Sequence, residues 1–289
     1  MNTGERRSEK LYYGLYILSM LLFGTNGVII SRISILSSQI VLFRTLIGGF
    51  LLTLLVFLRG GFNRDILKED LPYLLGGGFA LGANWVALFT AFRMLNVSLA
   101  TLIYYAGPML VLLLSPVLFH EKLSGKKIPA ILIVAAGLVL ISGSIAATGL
   151  NPAGLLVAAA SAVFYASLII FNKRIKKTGG LQTAAIELDI AFVVTLIYTL
   201  LTSGLPQPQP GDIPYLVLMG LVNTGLAYLL YFTGLQKLPA QSVALISYID
   251  PVSTLFFSAA LLNERLSPLQ VVGAVMILGG AILAETRKS

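Results

Sequence analysis

Long apolar stretches alternate with short polar breaks along the whole chain. Ten of these stretches come close to the length of about 20 mostly apolar residues that an α-helix needs to cross a bilayer. They cover residues 11–30, 38–58, 72–93, 98–119, 128–146, 152–172, 182–202, 213–235, 240–261 and 268–285. The breaks between them contain Gly, Pro and charged residues, which favour turns. The pattern predicts an all-α integral membrane protein with ten transmembrane helices.

The chain also contains an internal duplication with an offset of 143 residues. Residues 108–124 read PMLVLLLSPVLFHEKLS and residues 251–267 read PVSTLFFSAALLNERLS. The overlay places Glu121 on Glu264, and we expect both to lie at helix ends, where capping or contact with solvent accounts for them. Looking for such repeats first is justified because a duplication determines the architecture of the whole chain.

Each copy of the duplicated unit contains five apolar stretches. The first repeat covers residues 11–146 and the second residues 152–285, with short cytoplasmic tails at 1–10 and 286–289. Because five is an odd number, the second copy enters the membrane from the opposite side. Two inverted five-helix repeats are typical of secondary transporters that work by alternating access.

Composition and charge agree with a membrane location. Hydrophobic residues make up 57% of the chain and charged residues 11%, against about 25% charged residues in a typical soluble domain. With the N-terminus inside, 16 of the 20 Lys and Arg residues fall in cytoplasmic segments and 3 in external ones. Basic residues concentrate on the cytoplasmic side of membrane proteins. We therefore expect a multi-pass protein of the cytoplasmic membrane with both termini in the cytoplasm. We expect no nucleic-acid partner, because the basic residues are scattered over separate loops.

Three motifs carry a resemblance to a known family. Residues 23–26 read aromatic-Gly-Thr-Asn, Arg44 lies early in the second stretch, and Pro-x12-Glu-Lys/Arg-Leu-Ser closes each repeat. Over nearly the whole chain, these features resemble the EamA branch of the drug/metabolite transporter superfamily. The resemblance implies a ten-helix carrier of small metabolites, often amino acids, amines or related solutes, and frequently in the export direction. We expect a small-molecule solute and the lipid bilayer as partners, protons as a candidate coupling ion, a monomer or homodimer, and no cofactor or metal.

Ionisable side chains inside the stretches are the first candidates for a transport site, since each costs about 2.5–3.5 kcal/mol to insert. Asp250 is the deepest, about 15 Å from the start of its helix and so near the bilayer centre. We predict that Asp250 is the coupling residue, which either exchanges a proton during transport or neutralises a cationic substrate. The alternative is a structural contact with a neighbouring hydroxyl group or Arg.

Arg44 and Glu187 occupy equivalent positions in the two repeats but carry opposite charges. Their expected depths differ by about 12 Å, which argues against a direct pair and makes a contact of Arg44 with Asp250 the better expectation. If both face the central cavity, Arg44 would bind the carboxylate of a zwitterion in one state and Glu187 its ammonium group in the other. The alternative is that each is held in a structural ion pair. Asp189 lies about 200° around the helix from Glu187, so the two acids do not face one cavity together.

Polar and aromatic side chains within the stretches complete the predicted site. Pro108 and Pro251 are expected to kink two helices near the bilayer centre and to release carbonyl groups there. Tyr and Trp can hold an aromatic solute by stacking or an ammonium group by cation–π contact, and Asn can bind polar groups, although all three also serve helix packing. The predicted substrate contacts of this kind are Asn26, Asn84, Trp85, Tyr104, Tyr105, Tyr228, Ser247 and Tyr248.

Three other functions compete with transport of a small solute. A membrane enzyme would need a nucleophile, metal ligands or an acid–base cluster, and the chain offers one His, no Cys and no HExxH motif. A flippase for a lipid or a lipid carrier remains an alternative, because the same bundle could open sideways to the bilayer. A channel fits less well, since an inverted duplication favours alternating access.

Overall fold

The structure, a computed structural model, describes residues 3–95, 97–122, 125, 128–141, 151–263 and 265–286. Among these residues there is no strand, and they form fourteen α-helices and one π-helical segment. The helices are α1 (Thr3–Gly24), α2 (Asn26–Ile30), α3 (Ser37–Leu58), α4 (Arg64–Met94), α5 (Val97–Tyr104), α6 (Ala106–Phe119), α7 (Ile128–Ile141), α8 (Pro152–Arg174), α9 (Gly180–Thr202), α10 (Ile213–Leu218), α11 (Ala227–Lys237), α12 (Ala240–Ile246), α13 (Ile249–Leu262) and α14 (Pro268–Thr286). The π segment, Met219–Leu226, continues α10 into α11. Glu264 and residues 142–146 of the predicted fifth stretch lie outside the described residues.

Eight helical stretches in the described part of the chain are long and apolar enough to cross a membrane. They are Glu9–Ile30, Ser37–Leu58, Leu67–Met94, Ala100–Phe119, Pro152–Arg174, Gly180–Thr202, Ile213–Lys237 and Ala240–Leu262. Two further apolar helices, Ile128–Leu140 and Pro268–Leu283, are shorter. The predicted all-helical membrane fold is confirmed. Within the residues that the structure describes, each predicted stretch falls on helix, and eight of the ten have full membrane-spanning length.

The helix contacts come in pairs that are related by exchange of the two repeats. Equivalent helices meet where α3 packs against α9 and where α7 packs against α14. The contact of α4 with α8 corresponds to that of α11 with α1. The contact of α6 with α8 corresponds to that of α13 with α1. The contacts of α4 with α9 and of the π segment with α3 form a further pair. The two halves therefore pack by one scheme.

Two helices break at equivalent positions, which lie next to each other in space. The α-helical path is interrupted at Tyr105, between α5 and α6, and at Ser247 and Tyr248, between α12 and α13. Each break lies just before a proline, Pro108 or Pro251, because proline has no N–H group for the carbonyl of the preceding turn. The Tyr248 hydroxyl donates to the Tyr105 carbonyl oxygen at 2.9 Å. The side chain at one break thus satisfies a backbone acceptor at the other.

Two aspartates show the same symmetry at the ends of the bundle. Asp70 precedes Leu-Pro-Tyr-Leu in α4, and Asp212, at an offset of 142, precedes Ile-Pro-Tyr-Leu at the start of α10. The Asp70 carboxylate accepts from the backbone N–H groups of residues 176–178 at 2.7–3.1 Å. The Asp212 carboxylate accepts from the N–H and hydroxyl groups of Ser34 at 2.8 and 2.7 Å, and these bonds lower the pKa of Asp212 from its ordinary value. Each aspartate therefore fixes the loop between the first two long helices of the other repeat.

Candidate functional site

A cavity of about 230 Å³ lies between the two repeats, beside the helix breaks. Its wall is mostly aromatic and apolar, with two charged side chains and two amides. The lining residues are Phe23, Asn26, Gly27, Ile30, Arg44, Leu81, Asn84, Trp85, Leu88, Phe89, Phe92, Thr101, Tyr104, Tyr105, Tyr165, Leu168, Tyr228, Tyr231, Asp250 and Thr254. A concave, largely apolar site with a few convergent polar groups is the usual form of a small-molecule site.

Arg44 supplies the positive charge of the cavity. It lies on α3 and is 6% exposed, and its Nε donates to the hydroxyl of Thr224 at 2.9 Å. Thr224 belongs to the π segment, and such local widening of a helix is frequent at functional sites. The guanidinium carbon lies 4.9 Å from the centroid of the Trp85 ring, a cation–π contact. Among the described residues, these two contacts orient the guanidinium and leave its terminal N–H groups available to a ligand.

Asp250 supplies the negative charge. It lies in the first turn of α13, directly after the helix break, where the N-terminus of the helix favours an acidic side chain. The Tyr105 hydroxyl donates to its Oδ2 at 3.1 Å. Arg44 and Asp250 share the cavity, but within the described part of the chain they form no direct ion pair, so the expected direct contact is absent. The cavity therefore holds a cation and an anion apart, each supported by a neutral neighbour.

Aromatic rings form much of the remaining wall. Tyr104 and Tyr165 are stacked, with ring centroids 5.0 Å apart and an interplanar angle of 9°. Tyr228 contacts Phe23 at 4.9 Å and meets Trp85 edge-on at 5.7 Å. Packing among the rings fixes their orientation, so their free faces present a preformed apolar surface to a ligand.

The two amides of the wall differ in their hydrogen bonding. Asn84 donates from Nδ2 to the carbonyl oxygen of Ser161 at 2.7 Å, which ties α4 to α8. The side-chain oxygen of Asn26 is buried and has no hydrogen-bond partner among the described residues. Because an unpaired buried acceptor is costly, Asn26 is suited to accept a hydrogen bond from a ligand.

Eight of the residues singled out in the sequence meet at this cavity. They are Asn26, Arg44, Asn84, Trp85, Tyr104, Tyr105, Tyr228 and Asp250. Ser247 and Tyr248 are buried at the helix break and do not line the cavity; the Ser247 hydroxyl bonds the Tyr16 hydroxyl at 2.9 Å. Pro108 and Pro251 likewise lie outside the wall.

Glu187, which the zwitterion hypothesis assigns to the other transport state, does not line the cavity in this structure. It is fully buried, and both carboxylate oxygens accept from Nδ2 of Asn172, at 2.9 and 3.0 Å. The carboxylate also packs against Gly77, where a Cβ atom would lie 2.1 Å from Glu187 Oε1. Asp189 bonds the Thr53 hydroxyl at 2.6 Å, on another face of α9. The acid that shares the cavity with Arg44 is therefore Asp250.

Several lining residues were not predicted from the sequence. Thr254 lies one turn after Asp250 on the same face of α13, so helical spacing from the acid would have found it. Phe89 and Phe92 lie one and two turns after Trp85 on α4, and the same spacing would have indicated them. No comparable signal marks the remaining apolar lining residues, because apolar side chains in membrane helices face lipid, protein or cavity alike.

The cavity extends toward one end of the bundle. Ile30, Phe92 and Thr101 lie at helix ends that the charge pattern predicts to be external, and all three line it. A second cavity of about 220 Å³ shares Phe89 and Phe92 and reaches Arg93. The opposite end is closed by packing and hydrogen bonds, such as that between the Tyr13 hydroxyl and Ser242 Oγ at 3.0 Å. The structure is thus open toward the predicted external side.

Comparison with known proteins agrees with this architecture. The EamA-like transporter family matches this chain twice, over residues 10–143 and 152–286. An uncharacterized transporter of Bacillus subtilis (strain 168), YxxF, is 29% identical over 276 residues, covering 94% of this chain and 88% of that protein. A probable amino-acid metabolite efflux pump of Escherichia coli (strain K12) is 30% identical over 227 residues, covering 74% of this chain and 76% of the pump. A protein of known crystal structure superposes with a TM-score of 0.84 at 21% identity, covering 94% of this chain and 96% of that one, which supports the fold. The chain therefore belongs to the EamA-like transporter family and is a multi-pass membrane transporter, not an enzyme.

Proposed function

We propose that the protein exports an amino-acid-like zwitterion across the plasma membrane by alternating access, in exchange for protons. The observation that carries the proposal is the presence of Arg44 and Asp250 in one cavity without a direct ion pair between them. A cation and an anion held apart can bind the carboxylate and the ammonium group of the same solute. A neutral sugar would leave both charges without a partner, which is costly in a partly buried site.

The aromatic wall supports a preference for solutes with an apolar or aromatic side chain. The stacked pair of Tyr104 and Tyr165 and the edge-on pair of Trp85 and Tyr228 offer ring faces next to the charged groups. A cavity of about 230 Å³ accommodates a small molecule rather than a peptide. The name of the Escherichia coli relative, a probable amino-acid metabolite efflux pump, is consistent with this class of solute.

Asp250 accounts for proton coupling if a proton and the substrate ammonium group compete for it. In one limb of the cycle, the bound ammonium group would neutralise the carboxylate. In the return limb, a proton would take its place. Because the ammonium group or the proton neutralises the carboxylate, the transporter could change state both with and without bound substrate. An unprotonated carboxylate without a partner would carry a high desolvation cost.

The test is flux by the purified protein in liposomes under an imposed pH gradient. We expect labelled aromatic and large apolar amino acids to move faster than simple amines, carboxylic acids or sugars. Arg44→Gln should weaken transport of carboxylate-bearing solutes and spare amines, and Asp250→Asn should abolish proton-driven flux while the protein is still made. Asp189→Asn is the matched control, because it makes the same change on an acid that lies in a helix outside the cavity.

Two outcomes would count against this proposal. If Arg44→Gln reduces transport of all solutes equally while folded protein stays at the normal level, Arg44 has a structural role instead. Movement of a labelled lipid or lipid carrier that amino acids do not inhibit would favour the flippase alternative.

A further inference from the structure

Two charged side chains hold the closed end of the bundle, and the binding site does not account for either. Glu121 follows α6, and Lys173 lies in the last turn of α8. Both bond to the backbone of residues 235–241, which contain the short connection between α11 and α12 at residues 238–239. Leu238 and Ala240 are 1% and 0% exposed, whereas Pro239 between them is exposed, so the connection lies at the surface of the bundle with its two flanking side chains inside.

Glu121 caps the start of α12. The chain leaves α6 through His120, which has a left-handed backbone conformation with a φ of 56° and turns Glu121 back toward the bundle. Glu121 Oε1 accepts from the N–H group of Ala240 at 2.6 Å, and Oε2 accepts from that of Gln241 at 3.0 Å. The first N–H groups of a helix have no partner within the helix, and hydrogen bonds to a carboxylate are stronger than bonds between neutral groups.

Lys173 caps the end of α11, on the other side of the same connection. Its ammonium group donates to the carbonyl oxygen of Leu235 at 3.2 Å and also to that of Leu238. The next residue, Arg174, donates to the carbonyl oxygen of Leu118 at 3.1 Å and so joins the ends of α8 and α6. An anion and a cation from two fixed helix ends therefore hold the connection from both sides.

We propose that Glu121 and Lys173 form the latch of the gate at this end of the transporter. This inference rests on the alternating access of the proposed function. For a solute to leave the cavity by this end, the end of α11 and the start of α12 must separate from the ends of α6 and α8, which breaks both sets of charge-assisted bonds. Bonds that exist in one of two states stabilise that state alone. The latch thus favours the state in which the cavity is open at the opposite end.

The test uses two cysteine reporters. Because the chain contains no cysteine of its own, a thiol reagent labels only the introduced residue. Ser247→Cys lies between the cavity and the latch, and Thr254→Cys lies in the cavity wall. An impermeant thiol reagent is added from the latch side for the first and from the opposite side for the second. Glu121→Gln keeps the shape of the side chain but removes its charge. We expect the Ser247→Cys reporter to react about tenfold faster or more in this variant, while labelling of Thr254→Cys stays level or falls.

Two further variants sharpen the result. Lys173→Gln should act in the same direction as Glu121→Gln, since both hold the same connection. Glu69→Gln is the matched control. Glu69 forms an ion pair with Lys177 at the same end of the bundle, with an N–O distance of 2.6 Å, but both side chains are more than half exposed. Because exposed ion pairs contribute little, labelling should not change in this variant.

The inference is overturned if neither latch variant changes labelling of the Ser247→Cys reporter. It is also overturned if both reporters react faster, because that indicates general loosening rather than a shift between states. Labelling needs no substrate, so this result does not depend on whether the transported solute is a zwitterion. Conversely, failure of the latch test would not affect the solute preferences that the flux assay measures for the unmodified protein.

Discussion

Replacing Thr224 with Val tests how the proposed carboxylate-binding group is held. Thr224 is fully buried, and its hydroxyl oxygen accepts from Arg44 Nε at 2.9 Å. Valine has nearly the same shape but no acceptor, so the guanidinium loses one of the two contacts that orient it. The other contact, with the Trp85 ring at 4.9 Å, remains. The variant should therefore bind carboxylates less well while the fold is kept.

The expected size of the effect follows from the bond that is lost. A hydrogen bond to a charged group contributes about 1.5–3 kcal/mol, which corresponds to about 10- to 150-fold in a binding constant. Because the contact with Trp85 remains, we expect the lower end, about tenfold weaker apparent affinity for an amino acid. A simple amine does not need Arg44, so its affinity should change little. Competition for uptake of a labelled amino acid into liposomes measures both affinities.

The matched control is Thr195→Val. The Thr195 hydroxyl is also buried; it donates to the carbonyl oxygen of Phe192 within α9 and lies 3.5 Å from the Thr45 hydroxyl on α3, and Thr195 does not line the cavity. This variant should leave both affinities unchanged. Unchanged affinity for amino acids in Thr224→Val, or an equal loss for amines, would refute the role given to Arg44.

Three further predictions concern topology, a buried acid and a loop. Single cysteines at Asn151 and Gln209 should react with an impermeant reagent from outside, whereas one at Lys126, which lies outside the described residues, should not; the reverse pattern would contradict the inverted-repeat topology. Glu187→Gln should leave the order of solute preferences unchanged, because Glu187 does not line the cavity; a selective loss of amines in flux measurements would show otherwise. The pKa of Asp212 is lowered in the folded protein, so its contribution to stability is present above its ordinary pKa of 3.8 and is lost as the pH falls through the lower folded value. The thermal unfolding midpoint of Asp212→Asn in detergent should accordingly fall less than that of the unmodified protein below about pH 4.

The cavity was predictable in part because polar side chains are costly in lipid. Residues such as Arg44, Asn84 and Asp250 lie within apolar helices, so they must face protein or water. The duplication adds the pairing of the helices and the equivalent breaks before Pro108 and Pro251. Length, apolarity and repetition are properties of the chain itself, and this is why the helices could be located without a structure.

The same reasoning could not decide between cavity and packing for Glu187. Insertion cost shows that its carboxylate needs a partner, but the partner is Asn172 on the neighbouring α8, at 2.9 Å. Nothing in the sequence pattern indicates which faces of α8 and α9 meet. The clamps made by Asp70 and Asp212 were open to prediction, since extending the repeated Pro-Tyr-Leu motif by two residues finds both. The loops that the two aspartates bind could not be predicted, because they are determined by tertiary contacts.

Gly107 and Asp250, which are equivalent in the two repeats, show how far the symmetry of the transporter can extend. Gly107 packs so closely against α8 that a Cβ atom would lie 2.9 Å from the carbonyl oxygen of Ala162, whereas Asp250 places its side chain in the cavity. If the two repeats exchanged their conformations exactly, α13 would approach α1 as closely as α6 now approaches α8. Asp250 would then occupy the place of Gly107, where no side chain fits. In the proposed alternating access, the state open at the latch end must therefore keep α13 farther from α1 than an exact exchange of the two repeats would allow. Under the proposed function, that extra space would keep the carboxylate accessible in both states, as the proposed exchange of an ammonium group for a proton requires.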